Sequence, residues 1–197
     1  SGNCAVWQSG ETSVLIDLGV SVRALNQALH RIDMEIPNLS AVLLTHEHTD
    51  HIKGLATFVK KYELPVYATF GTGAAILQKL PQAKKNLRLF AGGETFFVDG
   101  LRVQSMPISH DAAEPVAYRI DGGGHQLGYV TDTGFLSDEV QQTICGCDTV
   151  VLESNHDVDM LRHGPYPFYL QQRIRGKLGH LSNEACADGA LKAVKNG

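Results

Sequence analysis

The sequence predicts an α/β (α+β) chain with two sheets and helices outside them, and three observations carry the expectation. Strand, loop and helix alternate through the first third of the chain, which is the pattern of a parallel sheet. From Leu87 the texture changes to β segments joined by Gly-containing turns, and from Asp157 the remainder is mostly helical.

Taken in order, residues 14–18 form an apolar run closing at Gly19, and Val22, Leu25, Ala28, Leu29 and Ile32 follow at helical spacing. Residues 41–45 have the composition of a buried strand. After a His-rich stretch, residues 52–62 resume a helical pattern that Pro65 closes. Residues 66–69 and 74–80 repeat the strand and helix, and Pro81 ends the unit because it cannot continue a helix. Segments 95–98, 101–108, 116–120 and 126–131 predict two hairpins, with Asp121-Gly122-Gly123-Gly124 in one turn. Ser137 with Asp138 and Glu139 marks a helix start, residues 149–152 a buried strand, and residues 185–194 a closing helix.

The chain has 197 residues, 43% of them hydrophobic and 19% charged, enough for one cored domain spanning 1–197 and outside the disordered class. Mean hydropathy is −0.10 and no apolar run approaches the ~20 residues of a membrane span, so the expectation is a soluble protein with no membrane partner. Seventeen Lys and Arg against 21 Asp and Glu leave a net charge of −4, so a polyanion would need a local patch or a bound cation. Cys4, Cys145, Cys147 and Cys186 lack C-x-x-C spacing and the density of a disulfide scaffold, which favours thiols in a reducing compartment, by default the cytoplasm. The opening residues show no secretory signal, and the absence of an initial Met predicts a trimmed chain.

The chemistry concentrates in Thr45-His46-Glu47-His48-Thr49-Asp50-His51, where three histidines and an aspartate sit between a buried strand and a helix. Imidazole and carboxylate are the donors preferred by Zn²⁺, Mn and Fe, and a loop leaving a strand turns alternate side chains toward one point. Four potential ligands exceed what one catalytic metal takes from one loop, so two metals are the simpler account. His110, in Ile108-Ser109-His110-Asp111, and Asp132, in Thr131-Asp132-Thr133-Gly134, follow other strands and join the candidate ligands.

These residues resemble the metallo-β-lactamase superfamily, whose hallmark is H-x-H-x-D-H with a later His and a later Asp. Residues 45–55, Leu152-Glu153-Ser154-Asn155-His156-Asp157 and Gly179-His180-Leu181-Ser182-Asn183 are similar to its YycJ branch, also called WalJ or VicX. The resemblance implies an αββα four-layer sandwich, here trimmed at both ends. It implies two divalent ions, Zn or Mn/Fe: His46, His48 and His110 on the first, Asp50 and His51 on the second, Asp132 bridging. Two such cations about 3.5 to 4 Å apart share a water, lower its pKa and clamp the oxygens at phosphorus. The branch is associated with 5′-to-3′ exonuclease action on DNA, so the implied reaction is phosphodiester hydrolysis and the implied partner is nucleic acid, DNA before RNA.

His180 is assigned to general acid or phosphate contact, and Asp50 is counted with the catalytic groups as well as with the ligands. Family members carry a further strand whose His completes the second metal. The sequence ends at Gly197, which predicts a second site one ligand short unless His180 or water fills it. Glu153 and His156 are candidates to orient ligand imidazoles, and Arg173, Arg175 and Lys177 to grip a backbone phosphate. Two other readings stay open: a glyoxalase-type thioesterase on the same fold, and a non-catalytic metal-binding module. The sequence does not fix an oligomeric state.

Overall fold

The computed structural model describes residues 2–195, and the chain separates into two compact units. The first comprises residues 1–102 with 112–114, the second residues 103–111 with 115–197.

In the first unit, β1 (Ala5–Ser9) and β2 (Thr12–Ile16) form an antiparallel hairpin. β2 continues in parallel to β3 (Ala41–Leu43), β4 (Val66–Thr69) and β5 (Leu87–Phe90), in the order β1-β2-β3-β4-β5. The alternating elements thus build the parallel sheet that the sequence predicts. Helix α1 (Val22–His30) starts where the Ser21 hydroxyl accepts from Ala24 N, and it buries Val22, Leu25 and Leu29. Those side chains join Leu15, Val42, Leu44, Phe58 and Val66 in one core.

The helix expected over 52–62 is instead two, α2 (Thr49–Ile52) and α3 (Leu55–Lys61). The cause is tertiary. Asn3 N donates to Asp50 O and Leu18 N to His51 O, while Gly54 N donates to Leu18 O, so neighbouring segments take the groups a continuous helix would pair internally. Helix α4 (Phe70–Lys79) begins four residues before the expected start because the Thr69 hydroxyl caps it, accepting from Thr72 N. Strand β1 is a further difference. It is half-buried along most of its length and carries no clean alternation, so its sequence gave little strand signal.

β6 (Thr95–Val98) leads through Asp99 and Gly100, both at positive φ, into β7 (Leu101–Pro107), within which the chain passes to the second unit. There β8 (Val116–Gly122) and β9 (His125–Val130) form an antiparallel hairpin closed by Gly123 and Gly124. β10 (Thr149–Leu152) lies parallel to β9, and the order in this unit is β10-β9-β8-β7. Helix α5 (Asp138–Ile144), capped by Ser137, shares a core of Met106, Ala117, Val130, Val140 and Ile144 with Ala193 of α8 (Asn183–Lys195). Between β10 and α8 run α6 (Val158–His163) and α7 (Phe168–Arg175), and α7 buries no side chain. Among the described residues, no helix is long and apolar enough to cross a membrane.

Candidate functional site

In the first unit the chemistry gathers where parallel strands end. Asp17 follows β2 and His46 follows β3, and Asp17 N donates to Leu43 O, which holds the two strand ends side by side. Asp17 is fully buried at positive φ (59°), a conformation tolerated by Asp better than by most residues. Its carboxylate accepts from Thr45 N (2.8 Å), from the Thr45 hydroxyl (2.9 and 3.0 Å) and from His51 Nδ1 (2.8 Å). Burial pushes this carboxyl above its ordinary range, and the bonds from His51 and Thr45 pull it back. Three donors converge on it, so the ionised form is the one this geometry accommodates.

One carboxylate thereby sets two imidazoles. His51 donates an Nδ1–H hydrogen bond to Asp17, which makes Nε2 its lone-pair nitrogen, and the Asn3 side-chain amide donates to that Nε2 at 2.8 Å. The Thr45 hydroxyl, donating to Asp17, turns its lone pair to His46 Nδ1 at 3.0 Å, which leaves Nε2 as the lone-pair nitrogen of His46 too. The His46 ring lies 4.0 Å from His51 and 4.6 Å from His48, centroid to centroid. Asp50 is half exposed beside them, its Oδ2 3.9 Å from His51 Nε2. Gly19 permits the packing: a Cβ there would collide with the Asp50 carbonyl and crowd Asn3 N.

In the second unit the parallel pairing of β9 and β10 sets Val130 against Leu152, and Glu153 N donates to Val130 O. Asp132 and Glu153 therefore emerge side by side. Glu153 Oε1 lies 2.7 Å from His180 Nδ1, and Oε2 accepts from Thr133 N and Leu181 N. Asp132 stands at positive φ (50°), with Oδ1 3.9 Å from His180 Nδ1 and Oδ2 3.9 Å from His110 Nε2. Asp132, Glu153 and His180 each offer one ligand atom within 4.8 Å of the others. His110 is buried and donates Nδ1–H to Gly179 O at 3.0 Å, and burial holds its pKa below the usual value. It is neutral with its lone pair on Nε2. The Glu153 hydrogen bond pushes His180 in the other direction, toward retention of its proton. Gly134 lets the Asp132 loop approach residues 176–179, since a Cβ there would strike the Lys177 carbonyl.

The first unit thus groups His46, His48, Asp50 and His51, and the second groups His110, Asp132 and His180, with Glu153 holding His180 as expected of an orienting partner. His156 does not share that role: its backbone bridges Ser182, and its Nδ1 has no hydrogen-bond partner among the described residues. Arg173 is committed to Asp111, Nε to Oδ2 at 2.7 Å, because Asp111 follows His110 into its reach. Arg175 and Lys177 are exposed. All four cysteines are thiols. Asp17 escaped the sequence reading; its signal was a lone carboxylate at the end of the apolar run 14–18, two residues before a glycine.

His46, His51 and His110 each have Nδ1 held by a neighbouring oxygen and Nε2 left with its lone pair, which is the chemistry of a metal ligand set. The donor set fits divalent zinc, manganese or iron.

A family model described as a beta-lactamase superfamily domain matches residues 12–196. The chain is 38% identical to the "Exodeoxyribonuclease YycJ" of Bacillus anthracis over 190 residues, 95% of this chain and 71% of that protein. It is 34% identical to the "Exodeoxyribonuclease WalJ" of Streptococcus pneumoniae, covering 100% of this chain and 74% of that one. In fold it is similar to the crystal structure of Zn²⁺-bound PqqB from Methylobacterium extorquens, with a TM-score of 0.74 at 23% identity over 94% of this chain and 71% of that one. The imidazole and carboxylate groups at its strand ends, with these likenesses, identify the chain as a member of the β-lactamase superfamily with the metallo-β-lactamase fold, in the YycJ/WalJ branch.

Proposed function

We propose that the chain is a metal-dependent phosphodiesterase that degrades DNA from an end, as a 5′-to-3′ exonuclease. The observation that carries the reading is the set of imidazoles whose Nδ1 atoms are anchored by Asp17, Thr45 and Gly179, in a chain related to two exodeoxyribonucleases over nearly its whole length. Following the family motif, His46, His48, Asp50, His51, His110 and Asp132 are the residues that would hold the divalent ions. Two divalent ions bound there would polarise the phosphodiester and acidify the attacking water. A single family match across both units supports reading them as one functional domain.

The chain's own residues supply the rest. Asp17 keeps His51, and through Thr45 also His46, in the tautomer with a lone pair on Nε2. Glu153 holds His180 at Nδ1 and favours its protonated form, so Nε2–H is the proton His180 can deliver to the departing oxygen. Arg175 and Lys177 are the cations available to a phosphate. Four reduced thiols fit a reducing compartment, so we place the reaction in the cytoplasm.

The test is to incubate the metal-loaded protein with DNA and RNA, single-stranded and duplex, labelled at either end, and to map the products. Mononucleotides released progressively from 5′ ends of DNA are expected. Turnover of a glutathione thioester without turnover of bis(p-nitrophenyl) phosphate would replace the reading by a thioesterase. Metal analysis of the purified protein identifies the ions.

A further inference from the structure

The nuclease reading uses one end of helix α7 and leaves the other unexplained. Phe168 and Tyr169 open this helix with 74% of their surface exposed, Tyr166 just before them is 52% exposed, and Met160 on α6 is 76% exposed. Aromatic rings are costly to leave in water, and a cluster of them on a helix that buries nothing marks a binding surface. The charge of the same segment says for what. From Met160 to Lys177 the sequence holds Arg162, Arg173, Arg175 and Lys177 and no carboxylate, although the chain as a whole is acidic. Arg162 reaches back to Asp159 (3.8 Å) and Arg173 to Asp111. Arg175 and Lys177 have no ion pair among the described residues.

The helix is also tied to the candidate site. Its last turn places Arg173 on Asp111, the neighbour of His110, and Ile174 O accepts from His180 N at 2.8 Å. Phe168 lies five residues earlier in α7, roughly 7.5 Å further along the helix axis, about the reach of one or two nucleotides. Beside Tyr166 a groove of about 490 Å³ runs past Pro165, Met160, Asn183 and His156. Its lining mixes Met160, Leu161 and Pro165 with Ser154, Asn155 and Asp157, and the His156 Nδ1 in it has no hydrogen-bond partner among the described residues.

We infer that Tyr166, Phe168 and Tyr169 are a stacking platform for single-stranded nucleic acid, onto which unpaired bases lie while Arg175 and Lys177 neutralise the backbone. This deepens the nuclease reading and rests on it. Stacking on rings is tolerant of sequence because every base has a π-face, so the surface suits an enzyme that must hold any strand next to the bond it cuts. Separating rings from cations divides the work: the rings set affinity independently of salt, and the cations set its salt dependence.

The experiment uses the full chain in EDTA, so that no strand is consumed, and fluorescence anisotropy of a labelled oligothymidine. F168A/Y169A should weaken binding roughly tenfold for each ring lost while leaving the slope of log Kd against log salt unchanged. R175E/K177E should flatten that slope. Tyr169→Trp should retain binding and add a tryptophan emission that the oligonucleotide quenches. Metal-loaded F168A/Y169A should hydrolyse bis(p-nitrophenyl) phosphate as the parent does, which separates a lost contact from a lost fold. Wild-type affinity in F168A/Y169A overturns the platform, as does a parent dimer that the same variant dissolves into monomers, since the rings would then meet a second copy. If the chain binds single strands through these rings but cleaves none, the platform stands and the nuclease reading falls. If it cleaves DNA while F168A/Y169A binds as the parent does, the reverse holds.

Discussion

Asp17→Asn is the sharpest perturbation the site offers, because it changes one atom of a fully buried side chain and leaves its shape. Asn tolerates the positive φ at this position about as well as Asp, so the strand end need not move. Oδ1 can still accept from Thr45 N, but an amide NH₂ now faces His51 Nδ1. Two donors would confront each other unless His51 moves its proton to Nε2, which removes the lone pair a metal needs. The Thr45 hydroxyl loses half of its acceptor as well, and with it the anchor of His46. Loss of such an orienting partner costs typically ~10- to 100-fold in metal affinity or activity, or about 1.4 to 2.7 kcal/mol.

Asp17→Ala gives the contrast. It strands Thr45 N–H and His51 Nδ1–H, at ~1–3 kcal/mol each, and puts a residue without a polar side chain at positive φ. A loss of roughly 3–6 kcal/mol is a large part of the stability of a domain of this size. The expected result is therefore a folded Asn variant with weak metal binding and an Ala variant with a lowered urea midpoint. Zinc titration by calorimetry, turnover of bis(p-nitrophenyl) phosphate and urea unfolding measure the three quantities. An Asn variant with parental zinc affinity and turnover would refute the assignment of Asp17 as the residue that sets the His51 tautomer.

Three further outcomes are expected. His48→Ala removes a half-buried side chain and should keep the circular dichroism spectrum while lowering metal content and turnover ~100-fold or more; parental values of both would remove His48 from the ligand set. Gly134→Ala sets a Cβ against the Lys177 carbonyl, a backbone clash no rotamer relieves; at ~1–3 kcal/mol and ~2–4 °C per kcal/mol the melting temperature should fall by several degrees, and an unchanged value would show that the loop yields. Burial, with the Asp17 charge second, pushes the Cys4 thiol up to about 12 from 9.0, so Cys4 should react slowly with iodoacetamide at mildly alkaline pH. Because the unfolded thiol ionises near 9.0 and the folded one does not, its contribution to stability is whole below that pH and is lost as pH rises toward 12; rapid alkylation of Cys4 in the folded protein would contradict the burial.

The parallel sheet was legible because each strand of the first unit is a short apolar run followed by helical spacing, and the His-rich loop was legible because its donors are adjacent in sequence. What stayed hidden required tertiary contact. Asp17 lies 28 residues from Thr45 and 34 from His51, and only the pairing of β2 with β3 brings them into reach. The split of α2 from α3 likewise depends on Asn3 and Leu18, which no local propensity registers. Arg173 read as a free cation because Asp111 is 62 residues away in sequence. Glu153 succeeded for the complementary reason: it directly follows a clearly readable strand, so its position at the sheet end could be inferred from β10 alone.

Asp17 and Asp132, the aspartates of the candidate site that follow strands, both take a left-handed backbone conformation, which costs of order 1–3 kcal/mol at each. Nothing in core packing asks for this, since each strand could end in an ordinary turn. Each aspartate lies within two residues of its strand's end, and its carboxylate reaches side chains on neighbouring segments. In Asp17 that aims the carboxylate at the next strand's loop, where His46 and His51 need an anchor. In Asp132 it sets the two oxygens toward different imidazoles, His110 and His180. The strain is tolerated because neighbouring pairing over-determines it: Asp17 N is fixed by Leu43 O, and the residues after Asp132 are fixed by Glu153 and Ser109. Stability is thus given up at the two places where donor direction matters, and the parallel strands beneath them hold the geometry that local preference would not.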